Sequence, residues 1–267
     1  MRKLAEQAFV ILNKWRRFRP HAASVITAPS AQATIDLGGI WHCAFPDDSG
    51  IETGGYAKVF SDPRAAWAIE RLGGVSGADI LELGPLEAGH TYMLDRAGAK
   101  RIVAIEALKS AYLKCLIAKE VLDIKSAQFL LGNFVPWIEN ERRRFDVIWA
   151  SGVLYHMVEP LKLLELISTR TDKLYLWTHF YRDDAVPSYV KVRNVSFAGT
   201  TIPQYERPYF MTGRRTFCGG VFSGRAWLRR SDILKALEIL GFKRVEIAFE
   251  DPAGKMGPSF ALVAQKI

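Results

Sequence analysis

The sequence predicts an α/β fold with a doubly wound, mostly parallel sheet. Short apolar runs alternate with amphipathic helical patterns through the middle of the chain, which is the order expected of strand–helix–strand units. The apolar runs are continuous, as is typical of parallel strands that are buried on both faces. With 267 residues, 49% of them hydrophobic and 24% charged, the chain can bury the core of one such domain.

Five apolar runs are the predicted parallel strands. In chain order they read "ADILELG", "RIVAIEA", "SAQFLLGNF", "FDVIWASGV" and "KLYLWTHFY". Helical patterns lie between most of them, namely "HTYMLDRAGA", "SAYLKCLIAKEVLD" and "PLKLLELIS". In the second of these helices, the spacing places five apolar residues on one face, namely Tyr112, Leu113, Leu116, Ile117 and Val121. Another helix, with Pro63 in its first turn and Gly73 at its end, precedes the first strand.

Residues 181–224 interrupt this rhythm after the fifth strand. They are rich in Gly, Pro, Arg and aromatic side chains, and we expect them to form an insertion that covers the ligand site. The alternation resumes with a helix that Ser231 and Asp232 are predicted to cap. The last two apolar runs, "KRVEIAFE" and "SFALVAQK", predict an antiparallel terminal strand pair.

Residues 1–61 are predicted to form a basic helix and an irregular segment that covers the domain. The predicted α/β domain itself spans residues 62–267. Within the cover, residues 4–18 have the spacing of a basic amphipathic helix that ends before Pro20. Residues 20–60 are rich in Pro, Gly and Asp and hold one candidate strand, "ATIDLGGIWH".

The net charge of +8 is concentrated in two segments. Residues 1–20 hold six basic residues and one acidic residue, and residues 180–230 hold nine basic residues and three acidic ones. Basic segments on an acidic body indicate an anionic partner, which is nucleic acid, an acidic metabolite or a membrane surface. The alternative is that these charges lie on a solvated surface.

Cysteine usage and hydropathy indicate a reduced compartment. The three cysteines, Cys43, Cys115 and Cys218, are far apart and form no C-x-x-C pair, which argues against a structural zinc site and predicts no metal. No apolar run reaches the roughly 20 residues of a membrane-spanning helix. The N-terminal apolar stretch "AFVIL" is too short for a secretion signal, so we expect a cytoplasmic protein.

The loop "ILELGPLEAGHT" follows the first strand and suits three kinds of nucleotide site. A P-loop would have His90 in place of its lysine, and a dinucleotide site would have Leu86 against the pyrophosphate. S-adenosylmethionine carries no phosphate and requires a tight turn, for which Gly84 suffices. Glu82 is expected to support this loop or to face the cationic end of the ligand.

Polar and aromatic residues at the ends of the next strands fit the same donor. Glu106 ends the second strand, where a carboxylate accepts hydrogen bonds from ribose hydroxyls. Asn133 follows the third strand and is predicted to pair with the edge of adenine, while Phe134 packs on its ring.

Together these motifs resemble the class I S-adenosylmethionine-dependent methyltransferases. The resemblance rests on "ILELGPLEAGH", "IVAIEA", "LLGNF" and "FDVIWASGVLYHMVEP", and covers residues 62–180 and, more weakly, the last forty. It implies a Rossmann-like fold, S-adenosylmethionine as donor and S-adenosylhomocysteine as product. Leu86 and Ala88 stand where glycines are usual. The predicted cofactor-binding residues are Glu82, Gly84, Pro85, Glu106, Ala107, Asn133, Phe134, Ser151 and Gly152.

Part of the chain is also similar to the tRNA wobble-uridine carboxymethyltransferases. The resemblance lies in "GVLYH" and the earlier "IDLGGIWH" and "IETGG". It implies that Tyr155 helps to bind a donor carrying an extra carboxylate. Ser151 departs from the methionine that is typical of those enzymes.

The predicted catalytic residues are His156, His179 and Tyr155. The two histidines follow the fourth and fifth strands, at the edge where open α/β sheets bind ligands, and a histidine titrates near neutral pH. The favoured function is methyl transfer to an anionic or sugar-like small molecule. The alternatives are a tRNA-modifying methyl or carboxymethyl transferase, and a non-catalytic adenosyl-binding scaffold.

Overall fold

The computed structural model describes residues 28–184, 190–208 and 224–267. Within these ranges the chain forms a seven-stranded sheet flanked by helices and a separate three-stranded sheet. The predicted helix over residues 4–18, residues 185–189 and 209–223 of the predicted insertion, and Cys218 lie outside the described residues.

Strands and helices alternate as the sequence predicts. The strands of the large sheet are β1 Asp79–Leu83, β2 Arg101–Glu106, β3 Ala127–Leu131, β4 Val147–Ser151, β5 Lys173–His179, β9 Phe242–Asp251 and β10 Ser259–Lys266. The helices are α1 Ala31–Asp36, α2 Pro63–Arg71, α3 Gly89–Arg96, α4 Lys109–Val121, α5 Phe134–Asn140, α6 Pro160–Arg170 and α7 Arg230–Ile239. Short 3-10 turns cover Asp47–Ser49, Val59–Ser61 and Leu154–His156.

The strand order in the large sheet is β3-β2-β1-β4-β5-β10-β9. The first five strands in the chain are parallel, and β10 runs antiparallel to both of its neighbours, which confirms the predicted terminal pair. The connections change direction between β1 and β4, so the loops at their carboxyl ends diverge and open a crevice.

Two hydrophobic cores lie on opposite faces of this sheet. In β1, Leu81 and Leu83 belong to the core that α5, α6 and α7 cover, whereas Ile80 belongs to the core covered by α2, α3 and α4. This burial on both faces explains the continuous apolar runs in the sequence. The second core also contains Trp41 and Phe60, so residues from the first 61 pack into it.

An antiparallel sheet begins in the predicted insertion over residues 181–224 and ends just beyond it. Its strands are β6 Lys191–Phe197, β7 Thr200–Pro208 and β8 Gly224–Trp227. The amide of Ala226 donates to the carbonyl of Met157 at 2.7 Å, which joins β8 to the loop after β4. The small sheet is therefore anchored above the carboxyl ends of the parallel strands.

Two local predictions in the sequence were wrong. The segment "ATIDLGGIWH" is not a strand, because its first residues belong to helix α1. Ser30 caps this helix: its Oγ accepts a hydrogen bond from the amide of Ala33 at 3.1 Å. Helix α7 begins after Arg229 without a side-chain cap, so neither Ser231 nor Asp232 caps it.

The predicted buried face of α4 was right only in part, since Tyr112, Ile117 and Val121 pack against the second core. Leu113 and Leu116 are 58% and 39% exposed, whereas the charged Lys114 is buried together with Cys115. The buried face therefore includes Lys114, whose buried partner is described below.

Candidate functional site

The predicted donor loop follows β1, at the point where the strand order reverses between β1 and β4. Gly84 has φ of 64°, and a Cβ atom there would lie 2.8 Å from Cγ1 of Val153. This position therefore requires glycine for both its backbone conformation and its contact. Leu86 and Ala88 have φ of 59° and 66°, so the backbone keeps the left-handed conformation at the positions where glycines are usual.

Glu106 is buried at the end of β2 and holds this loop. Its Oε2 accepts a hydrogen bond from the amide of Leu86 at 3.1 Å, and its Oε1 accepts one from the amide of Leu108 at 2.8 Å. Burial raises the pKa of Glu106, against the opposing effect of the backbone donors. Each carboxylate oxygen has a second lone pair, so the group can still accept from a ligand hydroxyl.

Glu82 lies beneath the loop and is buried. The hydroxyl of Thr91 donates to its Oε2 at 2.5 Å, which ties β1 to the first turn of α3. Burial raises the pKa of Glu82 to about 7. Among the two roles that the sequence suggests for Glu82, this contact corresponds to support of the loop.

Asn133 and Phe134 lie at the start of α5. Oδ1 of Asn133 accepts from the amide of Val135 at 2.9 Å and caps the helix, so its amide nitrogen is the part that could meet a ligand. Phe134 is only 6% exposed and packs in the core, which leaves little of its ring for adenine.

Four more predicted residues line the turns after β1, β2 and β4. The carbonyl of Pro85 accepts a hydrogen bond from the amide of Ala88 at 2.9 Å. Gly152 has φ of 77°, and its amide donates to the backbone carbonyl of Trp177 at 2.9 Å. Ala107 directly follows Glu106, and Ser151 ends β4. These positions meet at the edge where the sequence predicts the donor.

The three predicted catalytic residues form one aromatic cluster. The ring of Tyr155 lies 4.1 Å from that of His156 and 4.6 Å from that of His179. Trp227 of the small sheet stacks on His179 at 5.6 Å and donates its indole N–H to the carbonyl of Tyr155 at 3.1 Å. The small sheet thus completes a cluster whose other members come from β5 and from the 3-10 turn after β4.

His179 is held in one tautomer. Its Nδ1 lies 3.1 Å from the carbonyl oxygens of both Gly257 and Pro258, which can only accept, so Nδ1 carries the proton. The lone pair is then on Nε2. Burial lowers the pKa of His179, which keeps the ring neutral at pH 7.

Gly257 permits this arrangement. A Cβ atom at this position would lie 2.9 Å from the ring of Trp227, and the residue has φ of 117°. We expect Gly257→Ala to displace Trp227, to destabilise the fold by about 1–3 kcal/mol, and to alter the tautomer of His179. Chemical denaturation and the ¹⁵N shifts of the histidine ring would measure the two effects.

Gly199→Ala is the matched control for this substitution. Gly199 also has positive φ, at 79°, but a Cβ atom there meets nothing within 4 Å. Gly199→Ala should lower the free energy of unfolding through backbone strain alone and leave the ¹⁵N shifts of the His179 ring unchanged. Identical His179 shifts in both variants would refute the role of Gly257.

His156 differs from His179 in its electrostatics. Burial, with smaller contributions from Arg225 and His179, lowers the pKa of His156 to about 3. The ring is therefore neutral and a weak base at physiological pH.

This neutral histidine should make the fold sensitive to acid. Below about pH 6.5 the unfolded chain binds a proton at His156 and the folded protein does not. The free energy of unfolding should therefore fall with pH by up to about 1.4 kcal/mol per unit, until pH approaches the folded pKa near 3. Urea unfolding of wild type and His156→Gln between pH 7.5 and 5 would test this, since the variant should lose part of that slope. Equal slopes would contradict it.

A buried chain of polar residues beneath the loop was not predicted from the sequence. Trp149 donates to Nδ1 of His90 at 3.1 Å, which leaves Nε2–H of His90 to donate to Asp62 at 3.0 Å. Asp62 also pairs with Arg64 at 2.6 Å, and the Arg64 guanidinium lies 4.5 Å over the ring of Trp177. Burial raises the pKa of Asp62, but the hydrogen bonds from His90 and Arg64 outweigh it and lower the pKa. His90 is thus engaged in the interior and does not stand in for a P-loop lysine.

A buried ion pair fixes an earlier segment to the same loop. The carboxylate of Glu87 accepts from the amides of His42 and Cys43, the latter at 2.8 Å, and from Nζ of Lys114 at 2.7 Å. Lys114 also donates to the carbonyl of Ile40. Residues 40–43 are therefore bound to the loop through one carboxylate.

Within the described ranges the side chains form neither a metal-ligand cluster nor a membrane-length apolar helix. No group of three or more His, Cys, Asp or Glu side chains in those ranges is placed to hold a metal ion. None of the helices there combines the length and apolar character that a membrane crossing requires.

No protein-family model matches the sequence. Over 137 residues the chain is 31% identical to a tRNA U34 carboxymethyltransferase from Colwellia psychrerythraea strain 34H. The match covers 48% of this chain and 42% of that protein, so the chain spans less than half of this relative.

Solved structures show the same fold. The N-terminal domain of EvdMO1, crystallised with SAH and D-fucose, has a TM-score of 0.65 and 23% identity, with 88% of this chain and 95% of that one covered. The CcbJ methyltransferase from Streptomyces caelestis has a TM-score of 0.55 and 12% identity. The match covers 89% of this chain and 99% of that one. At these identities the comparison establishes the architecture.

Proposed function

We propose that this chain, which has the fold of the S-adenosylmethionine-dependent methyltransferases, transfers a methyl group from S-adenosylmethionine to an anionic or sugar-like small molecule. The observation that carries the proposal is the loop after β1, which lies at the strand-order reversal and whose Leu86 amide donates to the Glu106 carboxylate. The EvdMO1 domain, a structure of the same fold, was crystallised with SAH and a sugar.

The residues of the crevice fit this donor. A loop with left-handed backbone at Gly84, Leu86 and Ala88 lets a ligand approach its main chain. Glu106 would accept from the ribose hydroxyls, and the amide nitrogen of Asn133 would meet adenine. Ser151 and Gly152 would line the amino-acid end of the ligand. When bound, S-adenosylmethionine supplies a methyl group on a cationic sulfur.

The aromatic cluster fits the acceptor side. Methyl transfer is an in-line displacement, so positioning and exclusion of water contribute much of the rate. An acceptor hydroxyl must also lose its proton, and Nε2 of His179 is the unprotonated nitrogen suited to take it. We assign the base to His179 rather than to His156, because the low pKa of His156 makes it a weak base. Tyr155, in contact with both rings, would orient the acceptor.

Donor binding is the first test of this function. Native mass spectrometry of the purified protein, followed by titration with SAH, NAD⁺ and ATP, should reveal binding of SAH alone. Binding of NAD⁺ or ATP in its place would refute the assignment of the loop. Retained SAH binding with no transfer to any acceptor would instead favour the adenosyl-binding scaffold.

A tRNA-modifying transferase is the second candidate function. It is supported by the 31% identity over 137 residues to a tRNA U34 carboxymethyltransferase and by Tyr155 within "GVLYH". Binding to tRNA should then weaken steeply as salt rises, because released counterions drive contact with phosphates. A carboxylated donor found on the purified protein would favour this candidate. Absence of tRNA binding at low salt would exclude it.

A further inference from the structure

Two arginines lie directly opposite each other in the small sheet. Arg207 of β7 pairs in register with Arg225 of β8. Like charges at directly opposite positions of an antiparallel pair are destabilising. The two guanidinium groups therefore lie side by side, and an anion bound between them would offset their mutual repulsion.

Both arginines face the aromatic cluster. The guanidinium carbon of Arg207 lies 4.4 Å from the ring centre of Trp227, and that of Arg225 lies 5.7 Å from it. Trp227 is the ring that stacks on His179. The arginines therefore share one face of the small sheet with Trp227, next to the proposed base.

The carboxylate next to Arg207 in β7 is that of Glu206, and it forms an ion pair with an arginine of β6. Glu206, between Tyr205 and Arg207 in β7, pairs with Arg193 at 2.6 Å. Successive residues of a strand point to opposite faces, so Glu206 points away from the face that bears Arg207. The positive charges of Arg207 and Arg225 in turn contribute, after burial, to the lowered pKa of His179.

We propose that Arg207 and Arg225 bind an oxyanion of the acceptor, a carboxylate or phosphate, and hold the acceptor beside His179. Guanidinium groups stay charged and bind such oxyanions in a bidentate manner. This inference rests on the proposed function, and it specifies that the acceptor is an acidic or phosphorylated molecule. It also explains the placement of the small sheet, which brings the two arginines over the carboxyl end of β5.

The test uses His179 as a reporter. Inorganic phosphate and D-glucuronate are titrated into the whole protein while ring NMR signals give the pKa of His179. An anion between the arginines offsets their charge, so the pKa of His179 should rise in a saturable way. In Arg207→Gln and Arg225→Gln the affinity for the probe should fall at least tenfold. A response to phosphate alone specifies a phosphorylated acceptor, and a response to glucuronate specifies a carboxylate.

The control is Arg193→Gln, which removes an arginine from the same sheet on the other face and should keep the full response. SAH affinity is measured in every variant and should be unchanged. Absence of a response in the wild type, or an undiminished response in both variants, would overturn the inference. A loss of SAH affinity in Arg207→Gln or Arg225→Gln would also overturn it, because the arginines would then serve the donor. Failure of the wild type to bind SAH refutes the proposed function instead, whatever the response of His179.

Discussion

Replacing Glu106 with glutamine is expected to weaken SAH binding by about 10- to 100-fold. The substitution removes the charge and one acceptor oxygen from a group assigned to the ribose hydroxyls. A hydrogen bond to a charged group contributes about 1.5–3 kcal/mol, and each 1.4 kcal/mol corresponds to about tenfold in affinity. The variant also loses an acceptor for the amide of Leu86 or Leu108, which loosens the loop. Isothermal titration calorimetry with SAH would measure the loss.

Asp95→Asn separates ligand contact from structural damage. Like Glu106, Asp95 accepts hydrogen bonds from two backbone amides, those of Lys125 and Ser126. These two residues lie just before β3, at the amino ends of the parallel strands and away from the predicted donor site. This variant should lose stability and keep its affinity for SAH. Unchanged affinity in Glu106→Gln would remove the ribose assignment, and an equal loss in both variants would attribute it to general destabilisation.

Replacing Lys114 with methionine is expected to destabilise the fold by about 3–5 kcal/mol. The substitution leaves the carboxylate of Glu87 buried without its cation, and breaking a buried ion pair on one side carries a cost of this size. The bond to the carbonyl of Ile40 is lost as well. For a chain of this length the melting temperature should fall by on the order of 10 °C, which calorimetry would record.

Lys109→Met is the matched control, since Lys109 is exposed on the same helix. It should change stability by less than about 0.5 kcal/mol. The double variant Glu87→Gln/Lys114→Met should regain part of the loss, because the unpaired charge is gone while glutamine still accepts from the backbone. If Lys114→Met and Lys109→Met unfold alike, the ion pair does not stabilise the fold.

The parallel strands were predictable because each is a short apolar run with turn residues at both ends. The structure confirms these runs and the helices between them. Helix α4 shows the limit of such patterns. The burial of Lys114 on this helix could not be predicted, because its partner Glu87 lies 27 residues away in a loop. The same holds for the candidate strand at residues 33–42, where a capping contact from Ser30 determines the helix.

The candidate site follows the same rule. Gly84 and Glu106 could be selected as candidates because Gly84 follows one parallel strand and Glu106 ends the next, and parallel topology brings those ends together. The pairing of His90 with Asp62 joins residues 28 apart in sequence, and that of His90 with Trp149 joins residues 59 apart. No local pattern predicts such contacts. Arg207 and Arg225 are adjacent only because β7 and β8 pair, which composition alone does not reveal.

The buried carboxylate of Glu87 has a consequence for how the loop meets a ligand. Glu87 lies between Leu86 and Ala88, two non-glycine residues held at positive φ. Such conformations persist only where the surroundings over-determine them, and the bonds of Glu87 to Lys114, His42 and Cys43 supply that constraint. The loop is thus preorganised: its shape is set during folding. A ligand that docks against it loses little affinity to ordering the chain, so binding energy remains for discrimination between ligands.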